Sequence, residues 1–326
     1  MMSHEHLSAE RARHYTIAVD LQALQPRLLA LAEQAATAAF TAPQMMIAFA
    51  KGLEEAASLM RAVPIQEGNL LEAGIALLAS TSPDLLALTE NIRLPVTPAA
   101  LQLVAMNDEK HFRRLTLDAD TGGRKGYTPD MVLVHQSKRL AYVVDVKRTL
   151  ASYESTRIAD LKGRMLASAL VVPDLLYKEH RRIVVDEVRA VILNADGQKT
   201  DLEHGVWPLS HLDHLLEMDG AGQVIERMRA QFAAAVERNW KVAVRQVAGP
   251  EPRPASGARD VLNGGSAVSS SNRNGDDGQS DGEVRTTVDA MAALTPANGL
   301  SPRHDYGSPP PFRVGLARAP ELAAAV

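Results

Sequence analysis

At 326 residues, with 46% hydrophobic side chains, the chain is long enough to bury a sizeable core as one large domain or two small ones. A net charge of -4 and a pI near 6.2 confine any polyanion binding to a local patch and exclude a surface that coats nucleic acid throughout. With no cysteine, a disulfide framework, a thiolate zinc site and a thiol nucleophile are all excluded, which fits the cytoplasm.

Met1 to Arg13 are polar and lack the apolar core of a signal peptide, and no later segment offers about 18 consecutive apolar residues. The expected protein is therefore soluble and cytoplasmic, with no membrane partner. Leu7 to Val63 place apolar residues three and four apart, as in Leu21-Leu24-Leu28-Leu31 and Met46-Phe49-Leu53-Ala56. This predicts an N-terminal helical region, residues 1–63, broken near Pro26 and Pro43, which could serve in target binding or dimerisation.

Gln66 to Leu78 reads as a further helix carrying Glu67 and Glu72, stopped by Thr81-Ser82-Pro83. Between Pro83 and Lys110 the pattern predicts two short helical pieces around Pro95 and Pro98, a helical insertion spanning 80–110. Strands are then expected at Phe112–Leu117, Met131–Val134, Leu140–Lys147 and Val188–Leu193, where β-branched and apolar residues concentrate. The third is apolar on both faces, so it should be central and covered on both sides. Helices are expected over Ser155–Val172 and Ala221–Val244.

The predicted core order is helix, three strands, helix, strand. That is an α/β (α+β) class with a central mixed sheet of about four strands flanked by helices, occupying residues 64–247. Beyond Gly249 the composition turns to Gly, Pro, Ser, Asn and Asp, with too little apolar surface to offset an ordering cost of about 1 to 2 kcal/mol per residue. Residues 248–326 are therefore expected as a disordered tail, in which Val284–Leu294 has helical register and could fold on a protein partner.

The chemistry concentrates at two of the strands. Side chains alternate along a strand, so Asp145 and Lys147 point the same way, and Asp130 at the start of the neighbouring strand can reach the same spot. Two carboxylates about 4 Å apart repel by roughly 4 kcal/mol at an effective dielectric near 20, so they need a cation or a proton between them. Oxygen-only ligation suits Mg²⁺ or Mn²⁺ rather than zinc. Such a metal could stabilise charge on a phosphate and lower the pKa of a bound water, with Lys147 orienting that water or neutralising the phosphate. Asp-x-Lys occurs three times in the chain and Pro-Asp three times, so the pattern alone decides nothing. Context decides, because only Pro129-Asp130 and Asp145-Val146-Lys147 fall on consecutive strands joined by a short turn.

In this setting the chain resembles the PD-(D/E)xK nuclease superfamily, of restriction-endonuclease-like fold. Pro129-Asp130 matches the first half of its signature and Asp145-Val146-Lys147 the second, while Gly68-Asn69-Leu70-Leu71-Glu72 looks like the glutamate helix that precedes the first strand. The resemblance implies metal ligation by Asp130 and Asp145 with help from Glu72, for which Glu67 is the rival, and a catalytic role for Lys147. It also implies that the following helix faces the site, where Lys162 or Arg164 could contact phosphate. The match covers roughly Gln66 to Ala195. A metal-dependent nuclease acting on DNA, or on RNA, is the expected function. The alternative is a protein of this fold that has lost cleavage and serves as a nucleic-acid-binding or protein-binding scaffold.

Lys110, Arg113, Arg114, Arg124 and Lys125 lie on the approach to Asp130, where phosphate contacts and an ordinary solvated hairpin are both readings. Lys178, His180, Arg181 and Arg182 form a second basic cluster. His211, His214 and Glu217 fall on one side of a possible helix, where a polar face and a metal set are both readings. The chain carries no nucleophile elbow, phosphate-binding Gly loop, dinucleotide fingerprint, zinc finger or helix-turn-helix pattern.

Overall fold

A computed structural model describes residues 15, 17–18, 20–90, 92–107, 112, 116–118, 126–180, 182–248 and 312–320. In chain order these form β1 (Ile17–Ala18), α1 (Leu21–Ala39), α2 (Ala42–Lys51), α3 (Leu53–Ala79), β2 (Leu85–Leu88) and β3 (Leu94–Pro95). There follow α4 (Pro98–Met106), β4 (Gly126–Tyr127), β5 (Met131–His135), β6 (Leu140–Lys147), α5 (Ser155–Ala169) and α6 (Val172–Glu179). Last come β7 (Glu187–Asn194), β8 (Val206–Pro208), α7 (Leu212–Leu216), β9 (Met218–Asp219), α8 (Ala221–Ala248) and β10 (Arg313–Leu316).

The centre is a mixed six-stranded sheet in the order β10-β7-β6-β5-β2, with β8 also on β7. Strand β5 runs antiparallel to β6 and β2, whereas β7 runs parallel to β6, β8 and β10. The parallel β6 to β7 step needs a crossover, and α5 and α6 supply it. Period-two alternation divides the core. Leu140, Tyr142, Val144 and Val146 face a cluster built with α1, α3 and α8, while Ala141 and Val143 face a second cluster with α4, α5 and α6. Strand β6 is thus covered on both faces, as its sequence predicts. Among the described residues, no helix is long and apolar enough to cross a membrane.

Helix α2 begins where Thr41 and Gln44 close a reciprocal capping box ahead of Pro43. Contrary to the expected break, α1 runs through Pro26, and α3 runs through Pro64, so the expected boundary at 63/64 falls inside a helix. A proline removes one backbone bond. Packing on both sides of it carries each helix through, by Leu24 and Leu28 in α1 and by Val63, Leu70 and Leu71 in α3. The described residues all fall in one compact unit.

Three further expectations are corrected. The expected helical insertion at 80–110 is instead β2, β3 and the single helix α4. Phe112, Thr116 and Leu117 lie in no strand, the Arg113–Leu115 stretch between them being outside the described residues, so β2 rather than 112–117 is the sheet's first strand. Asp84 explains the choice, since its carboxylate accepts from Ser137 N and Oγ at 2.8 and 2.7 Å. It thereby clamps the start of β2 to the β5–β6 turn. Finally, Arg313–Leu316 within the expected tail is a strand along β7, with Val314 in the α5-side core; 249–311 and 321–326, including Val284–Leu294, lie outside the described residues.

This last correction is testable. Val314→Asp would bury a charge in the core and should lower stability by about 2 kcal/mol in urea unfolding. An unchanged midpoint would restore the reading of a wholly unstructured tail.

Candidate functional site

Three charged side chains converge where β5 begins and β6 ends. Asp145 and Lys147 share the α5-facing side of β6, and Asp145 is buried, only 4% exposed. Asp130 precedes β5, whose pairing ends at Met131 opposite Val144. Its Oδ2 accepts from Val146 N at 2.5 Å, supplying an acceptor beyond the last pair of the ladder. Between the carboxylates stands the Lys147 ammonium, against Asp145 Oδ1 and 3.7 Å from Asp130 Oδ2.

Electrostatics follow from this crowding. Burial first, and the Asp145 charge second, raise the Asp130 carboxyl above its usual range, while Lys147 and the Val146 N–H pull the other way. For Lys147 burial opposes the charge, yet Asp145 and Asp130 outweigh it and hold the ammonium above the ordinary lysine value. Glu72 on α3 belongs to the same field. Burial, then the Asp130 charge, push its carboxyl up to about 7, with Asp145 adding to the shift and Lys147 opposing it. Its rival Glu67 is committed elsewhere, since Arg229 donates to Glu67 Oε1 at 3.0 and 2.6 Å and to the Ala195 carbonyl at 2.9 Å.

Two residues escape a motif reading. Tyr127 on β4 donates its hydroxyl to Asp145 Oδ2 at 2.5 Å, and burial, then the Asp145 charge, raise its phenol far above the usual value, so it keeps its proton. Asn194 on β7 is the register partner of Lys147; it is fully buried, and its Nδ2 donates to the Gln198 carbonyl. Asp145 Oδ1 and Asn194 Oδ1 are the two buried side-chain oxygens without a hydrogen-bond partner among the described residues. By alternation both face the α5 side, at the same end of β6 and β7. Asp145 Oδ1 is nevertheless occupied, since the Lys147 ammonium is ion-paired against it, so a cation reaching that oxygen would have to displace the ammonium. A tyrosine directly before Thr128-Pro129-Asp130 was a weak signal for the first of these residues. Nothing in the sequence marked Asn194.

Carboxylate oxygens on two adjoining strand ends, one of them buried and held by an ammonium, are donors of the type a hard divalent cation such as Mg²⁺ or Mn²⁺ takes. Asp130 and Asp145 would hold it. Glu72, the third ligand the resemblance implies, feels the charges of both aspartates. His211 and His214 stack edge to face at 5.5 Å, with Tyr15 bonded to His214, while Glu217 pairs with Lys138 at 2.5 Å. That trio makes no metal set.

Of the expected phosphate contacts, Lys162 is paired with Asp201 at 3.6 Å, in the turn before β8, and exposed Arg164 acts on Tyr127 through its charge. Lys110, Arg113, Arg114, Arg124, Lys125 and Arg181 lie outside the described residues. Lys178 of the second basic cluster is paired with Asp118 at 2.8 Å and Asp174 at 2.9 Å. No protein-family model, curated protein or solved structure matches this chain.

The Glu72 shift has a thermodynamic consequence. With the folded-state value raised above the unfolded one, the native state binds more protons in between, so stability falls as pH rises. Without divalent metal, urea unfolding should show stability declining from about pH 4.5 to about pH 7, and Glu72→Gln should flatten that decline and stabilise the protein at pH 8. Superimposable pH profiles for both proteins would contradict the placement of Glu72.

Proposed function

We propose that this chain is a metal-dependent nuclease of PD-(D/E)xK type, cutting phosphodiesters in DNA. The observation that carries the reading is the Lys147 ammonium set between Asp130 and the buried Asp145 at the adjoining ends of β5 and β6. The order of elements supports it. Helix α3 with Glu72, strands β2, β5 and β6, crossover α5 and parallel β7 follow the helix, three strands, helix, strand order on which the resemblance rests.

Asp130 and Asp145 would hold Mg²⁺ or Mn²⁺. When bound, the ion supplies positive charge for the phosphate oxygens and makes a coordinated water more acidic. Lys147 keeps its proton, so it serves as a fixed positive charge that orients the attacking water or neutralises the phosphate. Glu72, titrating near neutrality, can accept the proton that water gives up. Burial of Asp145 and Tyr127 keeps bulk water from the carboxylate, which strengthens each of these interactions.

One observation favours a second reading. The Lys147 contact already neutralises Asp145, as it would in a protein of this fold that binds nucleic acid without cutting it.

Plasmid, linear DNA and RNA incubated with and without Mg²⁺ or Mn²⁺ separate the two. Cleavage should require the metal and favour DNA, and Asp145→Ala and Lys147→Ala should each reduce it by about a hundredfold or more. Cleavage that survives both substitutions eliminates this site, and DNA binding without cleavage by the wild type selects the scaffold.

A further inference from the structure

The geometry points to Tyr127 as the positioning residue that selects which oxygen of Asp145 is presented to the cation; this rests on the metal-site reading above. The hydroxyl of Tyr127 occupies Oδ2 at 2.5 Å, and Oδ1 is paired with the Lys147 ammonium. One carboxylate oxygen is therefore tied to a neutral hydroxyl while the other is turned to positive charge, where a divalent cation could take the place of the ammonium. A carboxylate held in this way offers a cation a single, pre-oriented donor, and partners of this kind typically change metal affinity by about 10- to 100-fold.

The placement of Tyr127 is over-determined. Strand β4 pairs with β3, Leu94 opposite Tyr127, and the ring packs in the cluster shared with α5. Three residues later the chain reaches Asp130, so one short segment carries one carboxylate and the group that orients the other. The backbone from 127 to 130 thus couples the two halves of the site. Tyr142 provides the contrast. It too is buried, on the central strand β6, but it faces the α1, α3 and α8 side, away from Asp145.

The test is Mn²⁺ affinity by calorimetry on the full chain, which is independent of cleavage. Tyr127→Phe keeps the ring and removes only the hydroxyl; it should weaken Mn²⁺ binding by about tenfold while the chain still unfolds in one cooperative transition. Tyr142→Phe should leave the affinity unchanged. A second measurement needs no variant: the Tyr127 hydroxyl proton, shielded from solvent, should give an NMR signal that moves on Mg²⁺ addition. Equal Mn²⁺ affinities for wild type and Tyr127→Phe, equal losses in both tyrosine variants, or a hydroxyl signal indifferent to Mg²⁺ would overturn the role of Tyr127 and leave the metal site standing. Absence of Mn²⁺ binding to the wild type would remove the metal site, and this role with it.

Discussion

A single ammonium between two carboxylates sets the terms for the rest of this molecule. Charges of one sign about 4 Å apart repel by roughly 4 kcal/mol at an effective dielectric near 20, and burial increases that cost. Asp130 and Asp145 can share the end of the sheet only with positive charge close by, and Lys147 provides it from the same strand face as Asp145. Glu72 adds a third acid, which responds by holding its proton to near neutrality. Among the described residues one lysine stands between the two aspartates with Glu72 in the same field, an arrangement that favours taking up a divalent ion or a proton.

The framework keeps these groups from drifting apart. Strand β6 is buried on both faces, and a one-residue slip would send Asp145 and Lys147 into the apolar layer under α3. At the far end of the hairpin, Asp84 ties β2 to the β5–β6 turn through Ser137. At the near end, Arg229 of α8 ties Glu67 of α3 to the Ala195 carbonyl just after β7. Thr149 binds Asp196, joining the chain after β6 to the chain after β7. Gly74 lets α8 approach α3, because an added Cβ would fall within 2.4 to 2.9 Å of Met228 and Ile225. The helix that carries Glu72 is thus fixed against the sheet by small-residue packing and by one partly buried ion pair.

How much of this was legible in the sequence depends on where each residue gets its structure. Strand β6 was readable because its apolar residues fill both faces, and the Asp145 and Lys147 pair followed from alternation alone. Strand β2 was not, since Leu-Leu-Ala-Leu lacks β-branching and follows a Pro-Asp pair that commonly opens a helix; its extended form comes from pairing with β5. Strand β10 hid behind a Pro-rich stretch, because Arg-Val-Gly-Leu acquires order only along the edge of β7. Tyr127 sits in a two-residue strand, too short for any periodicity, and Asn194 is special only for the oxygen its neighbours fail to satisfy. Pro26 misled in the opposite direction, as tertiary packing overrode the local preference for a break.

Taken together, the site reads as a two-carboxylate cradle now balanced by its own lysine, with Glu72 behind it and Tyr127 holding one oxygen in place. Diffraction from crystals soaked in Mn²⁺, collected at the manganese absorption edge, tests this most directly. An anomalous peak between the carboxylates of Asp130 and Asp145, with the Lys147 ammonium moved off Asp145 Oδ1, is the predicted result. Crystals saturated with Mn²⁺ that show no peak there, and Lys147 still against Asp145, would contradict it.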